Sequence, residues 1–517
     1  MKKKVLLPLI GLLVIVAAVA LFFLLRPSGD NYLNAIPSDA RMVCSIDVAG
    51  IVKKSGLGEK KLTDKLKQEL GGMVSGDDID NVVSYFEHPE KTGIDFRKRI
   101  YLFSTPDNSL CLLAKVGDKD KLSDFLTKME SEGGSTKPTT KNGLMWTKFF
   151  GEVPAAFNDD ALLVMMPTDG FYNPNESITN FLGQGKKNSF FSTKKADRLN
   201  NAEGDITLFG SLASLPKNIL GAYTQLLPKG VRQEEVDVTA SLSALKGKLS
   251  FKTEISSDNE VLKALLEETN KNTHKIKGLY LENSPREFVL WASAGFNGEW
   301  LLGQLKKEAN LKQQLFLAER AIDIEKMIKS IDGDLMLTIP AIDSDAMIEV
   351  PYLLVGQTKN QDFLNDVDYW TTSMREYGLS MTSTGDNQYR LNADDMTFYW
   401  GTRPKELYFT SSPDLVKTAL SGQGSDVLKA LDDEIRDSRF FVYLNIQQMA
   451  NSTNSYSSTG LTLSMLSQHF EGVSIRLTDA QNMELNILVK NEDENMLGAL
   501  IGGLLDSLGA LTRNFAR

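Results

Sequence analysis

The sequence predicts an α+β protein with an N-terminal transmembrane helix followed by two tandem copies of one unit of about 240 residues. Three observations carry this prediction: an uncharged apolar run near the amino terminus, strand patterns that come in adjacent pairs, and segments that recur at a nearly constant offset. Strand pairs joined by short turns favour mainly antiparallel sheets, with one face covered by helices.

The apolar run covers residues 5–25 and contains no charged side chain. A helix of this length spans about 31 Å, close to the ~30 Å hydrocarbon core of a bilayer. Three lysines precede the run and one arginine follows it, which predicts a cytoplasmic amino terminus. A cleaved signal peptide is the alternative, although its apolar region is usually only about 7 to 15 residues long. We expect residues 1–30 to form the cytoplasmic tip, the anchor and the hinge of a single-pass inner-membrane protein with its body in the periplasm.

The exported part of the chain is acidic. Residues 1–26 hold four of the 57 basic residues and none of the 67 acidic ones, so the remainder carries a net charge of −14. Nucleic acids and anionic membrane surfaces are bound through clustered Lys and Arg, which this balance does not favour. We expect no nucleic-acid partner.

Strand and helix patterns alternate along the first half. Apolar strand patterns cover residues 42–46, 100–104, 110–116 and 161–166, and a further strand surrounds Trp146. Asp47 is a plausible cap for a helix that begins at Val48, a second helix covers residues 121–129, and a third ends at Gly183. Residues 105–108 (TPDN) have turn chemistry and join the second and third strands into a hairpin.

Segments of the first half return in the second half in the same order, at offsets between 235 and 248. The strand at residues 42–46 corresponds to a strand near Phe288–Ala292, at an offset of 248 residues. Residues 99–102 correspond to residues 334–337, at an offset of 235. One such pair arises easily by chance, but seven in order indicate duplication. We predict a first repeat at residues 31–280 and a second at residues 281–517.

The carboxyl-terminal stretch 496–505 (MLGALIGGLL) is a second candidate for a membrane segment, but it is short and Asp506 ends it. In the repeat it takes the place of residues 261–269, an amphipathic helix. At this offset Gly498 and Gly502 replace Lys263 and Glu267. We expect this bare face, marked by Gly498 and Gly502, to pack against another helix, in the chain or in a second subunit.

Tryptophan is concentrated in the second copy, which holds four of the five tryptophans. Trp370, Trp400 and the adjacent Tyr399 form a candidate interaction surface, because exposed rings would stack on sugars or peptides. Core packing is the alternative, since each lies in a strand or helix pattern.

Signals of catalysis are weak. No zinc-binding histidine spacing, nucleophile elbow, phosphate loop or dinucleotide fingerprint occurs, so we assign no catalytic, metal or cofactor residue and expect no cofactor. Cys44 and Cys111 both lie in apolar strand patterns. They are either buried free thiols or the two halves of one disulfide.

Residues 35–40 (AIPSDA) with the strand that follows, Thr92-Gly93-Ile94-Asp95 ahead of residues 100–103, and the doubled layout resemble an uncharacterised Bacteroidetes envelope family, domain of unknown function 4836. The resemblance implies export, often as a lipoprotein, and no catalytic residue. No cysteine closes the apolar run here, which favours a helical anchor over lipidation.

These observations predict a membrane-anchored extracytoplasmic envelope protein that acts as a binding or scaffolding component. Its expected partners are the lipid bilayer, through residues 5–25, and an envelope protein or glycan. The alternative is an envelope hydrolase with a carboxylate-based site between the two repeats.

Overall fold

The structure is a computed structural model that describes residues 30–55, 64, 88–131, 133–166, 173–215, 227–307, 319, 322–341, 350–393, 396–420, 422, 424–453, 457–490 and 495–498. Within these residues no helix is both long and apolar enough to cross a bilayer. The predicted anchor at residues 5–25 and the predicted interface residue Gly502 lie outside them.

The protein is an α+β chain that divides into two compact units. The first unit is Met1–Asn259 together with Glu492–Arg517, and the second is Glu260–Asn491. The predicted repeat boundary at residues 280 and 281 therefore falls inside the second unit. The residues from Glu260, which follow the last strand of the first half, belong to the second unit, and Glu492–Arg517, which follow the last strand of the second half, belong to the first.

The first unit contains an antiparallel sheet in which the strand order is β4-β5-β6-β7-β3-β2-β1-β8-β9-β10. Its strands are β1 Met42–Ile46, β2 Ile100–Ser104, β3 Leu110–Lys115, β4 Thr139–Lys141, β5 Leu144–Phe149, β6 Val153–Phe157, β7 Ala161–Met166, β8 Ile206–Ser211, β9 Val236–Ala244 and β10 Lys248–Ser257. Central strands alternate buried and half-buried positions, as expected for a sheet with material on both faces.

Four α-helices accompany this sheet among the described residues of the unit: α1 Val48–Ser55, α2 Lys119–Ser131, α3 Pro174–Gly183 and α4 Lys194–Asn201. Short 3₁₀ helices cover Asn31–Ala35, Pro89–Thr92, Lys186–Asn188, Phe190–Ser192, Leu212–Ser214 and Gln233–Glu235. The predicted cap of α1 is present, because Asp47 Oδ1 accepts a hydrogen bond from the backbone N–H of Gly50 at 2.8 Å. The main core of the unit is built around Phe103, Leu163 and Phe190.

The second unit contains an antiparallel sheet in which the strand order is β15-β16-β17-β18-β14-β13-β12-β19-β20-β21, and a two-residue strand β11 pairs with β12. Its strands are β11 Thr273–His274, β12 Leu290–Asn297, β13 Ile331–Ile339, β14 Leu353–Thr358, β15 Ser380–Gly385, β16 Gln388–Ala393, β17 Met396–Arg403, β18 Glu406–Thr410, β19 Phe440–Asn445, β20 Phe470–Leu477 and β21 Asn482–Val489.

The helices that the structure describes in the second unit are α5 Glu260–Asn272, α6 Gly298–Leu305, α7 Ile324–Ser330, α8 Val367–Ser373, α9 Pro413–Ala419, α10 Asp426–Ala430, α11 Asp432–Arg436, α12 Ile446–Ser452 and α13 Ser458–His469, with 3₁₀ helices at Asp362–Asp366 and Met374–Tyr377. One core cluster lies around Trp291, Phe441 and Tyr443. Another lies around Trp370 and Trp400, whose ring centroids are 6.0 Å apart.

The two cysteines are free thiols, as one of the two sequence interpretations expects. They lie on β1 and β3, on either side of β2, with Cys44 opposite Leu102 and Cys111 opposite Phe103. Neighbouring residues of a strand point to opposite faces of the sheet, so the two thiols do as well. Burial raises the pKa of Cys44 to about 11 and that of Cys111 to about 12. The register of β2 thus prevents a disulfide.

Candidate functional site

A polar groove of about 750 Å³ lies in the first unit, between the β4–β5–β6 edge of the sheet and helix α3. This volume is within the ~300–1,000 Å³ range typical of small-molecule sites. Its lining is rich in amides and hydroxyls and includes one indole: Thr136, Thr139, Lys141, Asn142, Trp146, Thr147, Lys148, Gly151, Pro154, Asn173, Asn175, Glu176, Thr179 and Asn180.

Tight turns shape the wall formed by the strands. Asn142 and Gly143 both have positive φ angles, of 54° and 78°, and they connect Lys141 directly to Leu144. Two consecutive left-handed residues define the hairpin turn that matches the twist of antiparallel strands, which explains the Asn-Gly sequence. A second turn at Phe150 and Gly151, with φ angles of 52° and 77°, connects β5 to β6.

Hydrogen bonds hold the floor of the groove. The Thr147 hydroxyl donates to the backbone carbonyl of Thr136 at 2.6 Å, and the two threonine hydroxyls are 3.3 Å apart. The backbone N–H of Lys148 donates to Thr136 Oγ1 at 2.9 Å. The segment before β4 is therefore fixed against β5 and does not depend on a ligand for its position.

Trp146 is the aromatic residue of the groove. It lies opposite Thr139 in the β4–β5 pair, it is half-buried, and it packs against the main core of the unit. Its indole N–H donates to the carbonyl of Lys141 at 3.3 Å. The ring is thus held in place by the protein and is presented to the groove without a free donor.

Charges in the groove are few and exposed. Lys141 and Lys148 line one wall, and Glu176 lies on α3. Hydrolysis of a glycosidic bond usually requires two carboxyl groups, whereas this lining supplies one. Within the described part of the chain, no cluster of three or more His, Cys, Asp or Glu residues is arranged to hold a metal ion. The charged side chains of the lining are thus two lysines and one glutamate, and most of the other lining side chains are amides and hydroxyls.

Residues 32–497 match the family described as "Domain of unknown function (DUF4836)". The chain belongs to this family. No curated protein matches it. Among solved structures it is similar to crystal form IV of TP0453, with 12% identity over 44% of this chain and 81% of that chain and a TM-score of 0.27. Crystal form III of TP0453 gives 14% identity over 48% and 90%, with the same TM-score of 0.27. At these values the similarity supports no structural argument.

The predicted aromatic surface of this DUF4836 member is mostly internal. Trp370 and Trp400 are 2% and 3% exposed, and Tyr389 stacks on Trp400 with 4.5 Å between ring centroids. Tyr399 is half-buried. The two tryptophans thus follow the core-packing interpretation, and an interaction role for these residues stays a prediction.

Gly498 is helical and lies in the first unit. A Cβ atom built on it would be 3.4 Å from the carbonyl oxygen of Ser55, the last residue of α1. This is ordinary close packing of a small residue against the end of a helix in the same chain. Whether the face also meets a second subunit stays a prediction.

The sequence pattern predicts a strand around Trp146, which is confirmed as β5, but it does not indicate the groove. The available signal was the concentration of amide side chains near one tryptophan, but only the pairing of β4 with β5 and the position of α3 bring them together.

Proposed function

We propose that this protein is a membrane-tethered extracytoplasmic binding protein, built from two copies of one unit, that binds an envelope glycan. The polar groove of the first unit is the observation on which the proposal rests. Sugars present alternating apolar ring faces and hydroxyl groups, so they suit a site with one aromatic ring surrounded by amide and hydroxyl side chains. The groove has this composition around Trp146.

Two copies of one unit are supported by the strand order. Adding 11 to every label in the order of the first sheet gives the order of the second. The register agrees as well, since Cys44 lies opposite Leu102 and Ala292 lies opposite Leu337. These pairs are related by the same offsets, 248 and 235, that the sequence repeat predicts.

The membrane tether rests on residues 5–25 and the lysines before them. Fractionation of cells tests it: the full chain should stay in the membrane pellet after an alkaline wash, and a chain lacking residues 2–26 should not. Exposed parts of the full chain should be cleaved by protease added to spheroplasts. A mature amino terminus within or after the apolar run would contradict the tether and indicate a cleaved signal peptide.

Binding to printed bacterial glycans, followed by titration calorimetry with the best of them, tests the groove. Trp146→Ala should weaken binding by about 3- to 10-fold, since ring contacts contribute ~0.5–1.5 kcal/mol. Asn175→Ala, at an exposed position that should not disturb folding, should weaken it by a similar factor through one lost hydrogen bond. Tyr369→Ala is the matched control, because Tyr369 is a 72% exposed aromatic outside the groove.

Two results would reject the glycan proposal: binding to no printed glycan, and glycan binding that both groove variants retain in full. A hydrolase is the less favoured alternative, because the groove lining contains only one carboxylate, Glu176. Shortening of the bound glycan during calorimetry would favour it.

A further inference from the structure

The second unit contains an apolar cavity of about 450 Å³ that the proposed function does not use. It lies on one face of strands β12, β13 and β14, next to α6 and the carboxyl end of α5. The sheet contributes Ala292, Ala294, Leu335, Leu337 and Leu354. Side chains alternate along strands, so these residues are on the face opposite to the one that carries Trp291 and Met336 into the core.

Small side chains create the space. In the first sheet, the position that corresponds to Ala294 is Ile46, and Ile46 packs with Ile100 and Leu112 beneath α1. The second sheet has alanines at positions 292 and 294 of the same face and is left with a cavity. Ligand sites are typically concave, mostly apolar and lined by a few polar groups, so an apolar cavity of this size is a candidate ligand site.

Arg439 provides a positive charge at the wall of the cavity. Its Nη1 donates to the carbonyl of Asn270 at 2.6 Å, to Thr273 Oγ1 at 3.0 Å, and also to the carbonyl of Thr273. Its buried Nε–H has no acceptor among the described residues. The helix end therefore occupies one edge of the guanidinium and leaves the Nε and Nη2 edge, which is the edge that binds a carboxylate through two parallel hydrogen bonds.

Trp300 adds a second donor of the same kind. It lines the cavity from α6, and its buried indole N–H also lacks an acceptor within the described part of the chain. The one carboxylate of the lining, Asp479, accepts hydrogen bonds from the backbone N–H groups of Gln481 and Asn482 and, at both of its oxygens, from the side-chain amide of Asn482. Buried donors normally have partners, so these two point to an acceptor that the protein does not supply.

We infer that this cavity binds a single-chain fatty acid. The acyl chain occupies the apolar space over Ala292 and Ala294, and the carboxylate accepts hydrogen bonds from Arg439 and Trp300. Charge complementarity selects a carboxylate head, since a guanidinium is always protonated and the partners of this one among the described residues are uncharged carbonyl and hydroxyl oxygens. The inference rests on the second unit alone and is independent of the glycan groove.

Displacement of the fluorescent probe 11-(dansylamino)undecanoic acid from the full chain, held in amphipol, tests the inference. Dodecanoic acid should displace the probe with saturation. Dodecanol has the same chain without the charge and should bind about 10- to 100-fold more weakly. Loss of a hydrogen bond to a charged group lowers the affinity by about this factor. Arg439→Gln should reduce the affinity for the acid by the same factor and leave that for the alcohol unchanged.

Ala294→Phe should fill the cavity and abolish displacement by both compounds. The probe fluorescence that remains with this variant measures the background from probe that partitions into the amphipol. Should this variant fail to fold by circular dichroism, Ala292→Leu takes its place. The inference would be overturned by probe binding that persists in the filled cavity, by equal affinity for acid and alcohol, or by the absence of saturable binding.

Discussion

Replacement of Asp334 should destabilise the second unit more than replacement of an exposed acidic residue does. Asp334 lies on β13 and is 0% exposed. Its two carboxylate oxygens accept hydrogen bonds from the backbone N–H groups of Lys277 at 2.9 Å and Leu279 at 3.1 Å. One side chain thus fixes the loop that precedes β12 to the sheet.

The expected magnitude follows from these two bonds. A hydrogen bond to a charged group contributes ~1.5–3 kcal/mol, so losing both would cost up to about 6 kcal/mol. Lys277 and Leu279 are exposed, and water can reach their N–H groups once the loop moves, so we expect about 2–4 kcal/mol for Asp334→Ala. Asp334→Asn keeps one acceptor and should cost about half as much, ~1–2 kcal/mol.

Urea unfolding followed by tryptophan fluorescence measures these changes. The second unit holds four of the five tryptophans, so the signal reports mainly on it. Asp414→Ala is the matched control, because the Asp414 side chain is 81% exposed and its ion pair is with the exposed Lys417, at 3.4 Å. This substitution should change the free energy of unfolding by less than about 0.5 kcal/mol. The reasoning fails if Asp334→Asn is as harmful as Asp334→Ala, or if both stay within the range of the control.

Ser284→Ala should lower the free energy of unfolding of the second unit by about 1–3 kcal/mol in urea titrations, because Ser284 accepts the buried indole N–H of Trp291 at 2.8 Å. Thiol titration with a chromogenic disulfide reagent should detect two thiols per chain in urea but almost none in the native state at pH 8, where the raised pKa values keep Cys44 and Cys111 protonated; fewer than two in urea would indicate a disulfide. Burial raises the pKa of Glu406 above its usual 4.5, so its charge costs stability at neutral pH and the cost disappears as the pH falls through the folded-state pKa. Glu406→Gln should therefore be more stable than the parent chain at pH 7 in thermal melts and equal to it near pH 4, and equal stability at both pH values would contradict this reasoning.

Local structure was largely predictable from the sequence, because it depends on neighbouring residues. The strands Met42–Ile46, Ile100–Ser104 and Ala161–Met166 have the predicted bounds, and α2 extends the predicted helix by two residues at each end. In these segments the alternation of apolar residues and the turn residues between them agree with the final fold. The strand predicted at Phe288–Ala292 begins two residues later, at Leu290, and continues to Asn297.

Features that depend on pairing between distant strands could not be predicted. Cys44 and Cys111 are prevented from bonding by the register of β2, which no spacing in the sequence reveals. Whether the Trp400 side chain is buried or exposed could not be predicted for the same reason, because either face of a strand can be the buried one until the neighbouring strands are known. The polar groove of the first unit and the apolar cavity of the second both arise where a helix approaches a sheet, and the distance between helix and sheet is set by tertiary packing.

The assignment of residues 492–517 to the first unit has a consequence for the order of folding. The backbone N–H of Met496 donates to the carbonyl of Leu245 at 3.3 Å, and Gly498 lies against Ser55, so the first unit gains these contacts only after the whole second unit has been synthesised. The first unit of a newly synthesised chain is therefore incomplete until residues 496–498 are present. Cutting the chain between residues 259 and 260 would accordingly yield a first half that lacks part of its own structure.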